Sequence, residues 1–133
     1  MLKTKILLVD DAALMRRIEI KSLNTLGITD ITEAEDGAEA VEILKKGNRF
    51  DLIISDWDMP NLTGYELLKW VRNEYSDNSI PFIMATARGE KKEINLAKEA
   101  GVTGFISKPF DDDELDKKLA SALGMEISEE ERP

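Results

Sequence analysis

The chain has no cysteine, which excludes disulfides and thiolate metal sites and suits a cytoplasmic setting. It also lacks long apolar runs. Nothing approaches the roughly 20 residues that span a bilayer, so no membrane association is expected. No signal peptide is expected either, because Met1-Leu2-Lys3-Thr4-Lys5 leads into an apolar stretch too brief for an h-region. Basic residues are in deficit: 18 Lys and Arg against 27 Asp and Glu leave a net charge of −9. Nucleic-acid binding relies on clustered cations, so a phosphate backbone is not the expected partner. Excess carboxylate is instead what hard cations take. What is present is 133 residues, 42% of them apolar, the size and composition of one globular domain. No internal linker or repeat interrupts it.

Short β-rich runs at 5–9, 30–34, 51–55, 80–85 and 104–107 alternate with stretches of helical spacing. The helical stretches fall at 12–26, 37–46, 63–75, 89–100 and 112–123. The first places Leu14, Met15, Ile18 and Leu26 on one face. The last presents Leu115, Leu119, Ala122 and Leu123. Asp36 is placed to cap the second helix, and Gly27, Gly47, Gly101 and Gly124 sit where left-handed helix stops are needed. Five strands each followed by a helix predict an α/β fold, a parallel sheet covered on both faces. Residues 125–133, MEISEEERP, read as an acidic tail beyond a domain spanning 1–124.

Open α/β sheets bind ligands beyond the carboxyl ends of their strands, and chemistry-bearing residues collect there. LLVDD ends on Asp10 and Asp11, IISD on Asp56, IMAT on Thr86, and FISKPF carries Lys108. Each has an ordinary reading alone: a turn residue, a helix cap, a solvated lysine. Together at one edge they form three carboxylates, a hydroxyl and an ammonium. Close carboxylates repel, and one lysine cannot neutralise three of them. An all-oxygen site with few protein ligands suits Mg²⁺, octahedral at about 2.0–2.1 Å. An Asp carboxylate is also a nucleophile toward phosphorus, so Asp56 is the candidate acceptor. Lys108 and Thr86 are placed to meet phosphoryl oxygens.

LLVDD, MRRI, EAEDGAEA, ISDWDMPNLTGYELLK, ATA and KPF, spread over about residues 5–123, resemble the response-regulator receiver domains. The wording around Asp56 resembles the chemotaxis branch. The resemblance implies a doubly wound, flavodoxin-like sheet of order 2-1-3-4-5 with five helices. It implies that a histidine kinase phosphorylates Asp56. Mg²⁺ would be held by Asp11, Asp56 and the backbone carbonyl of Asp58, with Asp10 acting through water. Thr86 and Phe105, the latter where Tyr is common, would form the switch, and the Lys108-Pro109 bond would be cis. An ordinary core role for Phe105 stays open. The output face would be helix 4, strand 5 and helix 5, with Lys91, Lys92 and Lys118, although a plain solvated face accounts for those lysines equally well. The implied partners are a flagellar motor switch protein or a phosphorelay phosphotransferase, with a phosphatase as a further candidate. The domain would signal as a monomer by protein contact and would not be an enzyme, its own chemistry being limited to self-phosphorylation and slow autodephosphorylation.

Trp57, Asp58 and Arg88 are assigned to the pocket rim. Asp58 and Arg88, each two residues past a site residue, form a candidate ion pair that limits water's approach. The opposing reading makes Asp58 a general base. Asp56-Trp57-Asp58 also resembles the Asp-X-Asp signature of haloacid-dehalogenase-type phosphatases. Against that stand its position after the third strand, Pro60, the upstream Asp10-Asp11 pair, and the lack of a cap module. An EF-hand is excluded because Pro60 and Asn61 occupy positions needing a ligand and Gly. A transcription factor is not expected from the short acidic remainder.

Overall fold

The computed structural model describes residues 4–87 and 89–124. Val, Ile and Leu runs form β1 (Lys5–Val9), β3 (Leu52–Asp56) and β4 (Phe82–Thr86), with β2 (Asp30–Ala34) and β5 (Gly104–Ser107) outside them. The order is β2-β1-β3-β4-β5, and every pair is parallel. Between and after the strands lie α1 (Ala13–Thr25), α2 (Gly37–Lys45), α3 (Gly64–Glu74), α4 (Lys91–Glu99) and α5 (Asp112–Ala122). None of these helices is long and apolar enough to cross a membrane.

The two-residue alternation of strands divides the core into two layers. Leu7, Val9, Ile53, Phe82 and Met84 pack with Leu67, Leu68, Val71 and Ala97 of α3 and α4. Ile6, Leu8, Leu52, Ile54, Ile83 and Ala85 pack with Leu23, Leu115 and Leu119 of α1 and α5. Both faces are covered, so the strands read as continuous apolar runs.

Element ends follow local chemistry. Asp36 accepts the Glu39 N–H at 2.8 Å, and Thr63–Glu66 and Asp111–Glu114 close capping boxes on α3 and α5. The four expected helix stops all have positive φ, from 65° at Gly124 to 93° at Gly101. β4 starts at Phe82 rather than residue 80, after Pro81, which has no N–H for a ladder. α4 likewise starts at Lys91 rather than residue 89.

One expectation fails on α1. Leu14 and Ile18 are 67% and 50% exposed, whereas Glu19 is 3% exposed and points inward with Leu23. The helix is turned by about one residue from the apolar reading. Its sheet-facing stripe is the 19/23 pair, one turn apart. The 125–133 tail lies outside the described residues.

Candidate functional site

Register brings the site together. Val9 pairs with Ser55, Asp56 with Ala85, and Thr86 with Ser107. Asp10, Asp56 and Lys108 therefore follow at one rim. Alternation puts all three on the α1/α5 side of the sheet, in line with Leu8, Ile54 and Ile106.

Asp10 is held on every side. Its N–H donates to the Ala34 carbonyl at 3.1 Å, and its Oδ1 accepts the Ala12 N–H at 2.9 Å. Arg16, steadied by Glu33 at 3.0 Å, donates from Nη1 to the Asp10 carbonyl at 2.6 Å. Lys108 Nζ donates to Asp10 Oδ2 at 2.6 Å and stands 3.6 Å from Asp56 Oδ1. The Lys108 N–H is anchored to the Thr86 carbonyl at 2.8 Å, and the Lys108-Pro109 bond is cis. Burial alone would lower the Lys108 pKa. The hydrogen bond to Asp10 and the charges of Glu19, Asp56 and Asp10 outweigh it and raise it.

Asp56 Oδ1 accepts the Trp57 N–H at 2.9 Å. Burial pushes its carboxyl up to about 6; Lys108 opposes the rise, and Asp10 and Asp11 add to it. Ligand oxygens of Asp10, Asp11 and Asp56 all lie within 4.8 Å of one another. Asp11 is exposed, so the group opens to solvent. Three carboxylates against one ammonium leave negative charge, and this all-oxygen donor set fits a hard divalent cation. The same cleft is lined by Met15, Asp58, Ala87 and Pro109.

Other expected residues take different places. Thr86 ends β4 fully buried, in line with Phe82 and Met84 on the α3/α4 side. Phe105 is half-buried against that same layer and pairs with Met84 across the strands. The two switch candidates thus share a face. Trp57 departs from the rim assignment. Its ring is buried and stacks on Tyr65 at 5.4 Å and 6°, because the residue after Asp56 points to the opposite face. Only its N–H reaches Asp56. Asp58 is exposed on the cleft, while Arg88, and with it the proposed pair, lies outside the described residues.

Two residues escaped the sequence. Gly64 donates its N–H to the Trp57 carbonyl at 2.9 Å, and an added Cβ would meet the Asp56 carbonyl oxygen at 2.0 Å. Glu19 is buried on α1 beneath the site, where the charges of Lys108, Asp10 and Asp56 act on it. Burial pushes its carboxyl up to about 8, with Lys108 opposing and Asp10 reinforcing. Its spacing from Leu23 was the available signal.

Residues 6–120 match the family described as response regulator receiver domain. The chain belongs to the response-regulator receiver family. Among receiver relatives, a chemotaxis protein CheY homolog of Campylobacter jejuni is 44% identical over 120 residues, covering 90% of this chain and 92% of the relative. The chemotaxis protein CheY4 of Vibrio cholerae superposes with a TM-score of 0.83 at 36% identity, over 90% of this chain and 98% of that one. A receiver domain from a Pseudomonas aeruginosa sensor histidine kinase has a TM-score of 0.81 at 29% identity, over 91% and 98%, and was solved with magnesium coordinated in its active-site cleft. Family membership removes the haloacid-dehalogenase reading, and it makes the chain a signalling domain of a two-component response regulator.

Proposed function

We propose that this receiver domain accepts a phosphoryl group on Asp56 from a histidine kinase and signals by protein contact in chemotaxis, at a flagellar motor switch protein. The observation that carries the reading is Asp56 at the tip of β3, sharing one cleft with Asp10 and Asp11 and standing 3.6 Å from the Lys108 ammonium. In the transfer, an Asp56 oxygen forms the new P–O bond while the P–N bond of a phosphohistidine breaks. The imidazole leaves with that electron pair.

Asp11, Asp56 and the Asp58 carbonyl would hold Mg²⁺, with Asp10 reaching it through water. Bound there, the ion would supply charge neutralisation for the carboxylates and the incoming phosphoryl oxygens. Lys108 pairs with one phosphoryl oxygen and Thr86 donates to another. Drawing Thr86 toward the site favours a conformation in which Phe105 moves after it, a population shift rather than a new fold. The α4–β5–α5 face then changes for its partner. The unit spans residues 1–124, acts as a cytoplasmic monomer, and is reset by slow autodephosphorylation or a phosphatase. A phosphorelay phosphotransferase is the alternative partner.

The experiment is a Mg²⁺ titration followed by Trp fluorescence, then acetyl phosphate as donor. Trp57 adjoins Asp56 in sequence and donates to it, so its emission should respond, with Trp70 as background. Intact mass should show one phosphoryl group per chain, and none in Asp56→Asn. Uptake by Asp56→Asn equal to wild type would refute the assignment. Capture of a motor switch protein or a phosphotransferase by the phosphorylated form distinguishes the partners.

A further inference from the structure

One carboxylate joins two distant parts of the chain. Asp36 Oδ1 caps α2 by accepting the Glu39 N–H at 2.8 Å, and Asp36 Oδ2 accepts the Asn61 side-chain amide at 2.7 Å. Asn61 belongs to the loop that connects β3 to α3 and has a φ of 67°. A left-handed backbone is costly for residues other than Gly, and Asn tolerates it better than most. An ionised acceptor makes its side-chain hydrogen bond a strong one. A second tie runs beside the first. Gly37 donates its N–H to the Leu62 carbonyl at 3.2 Å, and an added Cβ at residue 37 would stand 2.6 Å from that oxygen. The start of α2 and the tip of this loop therefore meet at close range. At the other end of the loop Trp57 and Met59 are buried, with Asp58 exposed between them on the cleft.

We propose that Asp36 and Asn61 are positioning residues whose hydrogen bond fixes the β3–α3 loop in advance, so that the Asp58 carbonyl is already in place for the cation at Asp11 and Asp56. The inference rests on the Mg²⁺ reading above. A carbonyl on an untied loop must be ordered when the ion arrives, and that ordering weakens binding. Neither Asp36 nor Asn61 lines the cleft, so both act through the loop and not by touching the ion.

Two variants separate this role from general stability. Asn61→Gly removes the hydrogen bond and keeps the positive φ without steric cost. Asp36→Asn combined with Asn61→Asp exchanges donor and acceptor, keeps the net charge, and leaves an oxygen to cap α2. In Asn61→Gly the Mg²⁺ dissociation constant, read from Trp fluorescence, should rise about fivefold, the scale of one hydrogen bond. The double variant should recover wild-type affinity, because partners in direct contact are not additive. Amide hydrogen exchange of the metal-free proteins gives a readout independent of the ion. The Gly37 amide should exchange faster in Asn61→Gly and at the wild-type rate in the double variant, while the Glu39 amide, held by the cap, exchanges alike in all three. A lower melting temperature in Asn61→Gly with wild-type Mg²⁺ affinity would make the bond merely structural and overturn the inference. A double variant as weak toward Mg²⁺ as Asn61→Gly would overturn it too. If wild type itself binds no Mg²⁺, the cation reading fails instead, and the exchange comparison alone judges the tie.

Discussion

Gly64→Ala probes the position of Asp56 from behind. A Cβ at residue 64 would stand 2.0 Å from the Asp56 carbonyl oxygen, 2.9 Å from its carbonyl carbon and 2.9 Å from the Met84 sulfur. Met84 can turn aside, but the two backbone atoms cannot. An ordinary C···O contact is about 3.3 Å, so α3 and the tip of β3 must part by roughly 1.3 Å. That movement strains or breaks the 2.9 Å hydrogen bond from Gly64 to the Trp57 carbonyl. Overpacking costs about 1–3 kcal/mol and the hydrogen bond about 1 kcal/mol. The better helix propensity of Ala returns at most about 1 kcal/mol. A net loss of about 1–3 kcal/mol should lower Tm by roughly 5–10 °C for a domain of this size. Mg²⁺-dependent phosphorylation should slow more than tenfold, because Asp56 moves with the backbone. Gly47→Ala is the control: nothing lies within 4 Å of its added Cβ, although φ is +86°. It should cost only about 1 kcal/mol of backbone strain and leave phosphorylation unchanged. The measurements are thermal unfolding by circular dichroism and phosphoryl uptake by intact mass. Wild-type Tm and uptake in Gly64→Ala would refute the close approach.

Other outcomes follow from the buried charges and the tertiary hydrogen bonds. Asp56 and Glu19 have carboxyls raised to about 6 and about 8 from ordinary values of 3.8 and 4.5, burial being the leading cause for both. The folded state holds these protons more tightly than the unfolded one, so their contribution is present at low pH and lost as pH rises through 6 and 8. In EDTA the urea midpoint should therefore fall between pH 5 and pH 8.5; a flat or rising midpoint contradicts the burial. Glu19→Leu should remove the upper part of that fall. Arg72 donates to the carbonyls of Gly101 and Asn78, both at 2.9 Å, and to Thr103 Oγ1 at 3.4 Å. Arg72→Ala should destabilise by about 1–3 kcal/mol in urea titration with phosphorylation little changed, since it ties α3 to the α4–β5 connection away from the cleft.

Much of the site was readable because a parallel sheet converts order along the chain into place in space. Asp10, Asp56 and Lys108 each follow an apolar run, and parallel strands deliver all such ends to one rim. The helix stops at Gly27 and Gly101 were readable for an equally local reason, since only a left-handed residue ends those turns cheaply. Trp57 was misassigned because neighbours in sequence point to opposite faces of a strand. Its indole went to Tyr65 while its N–H stayed with Asp56.

Local chemistry by itself determined the alternation of strand and helix, the caps at Asp36, Thr63 and Asp111, and the identity of the clustered acids. Packing decided the rest. Whether α1 turns Ile18 or Glu19 toward the sheet depends on what the sheet and α5 present there, and no count of apolar residues within one helix contains that information. The space behind Asp56 that only glycine fits is likewise set by the meeting of β3 and α3, two segments whose approach exists only in the folded chain.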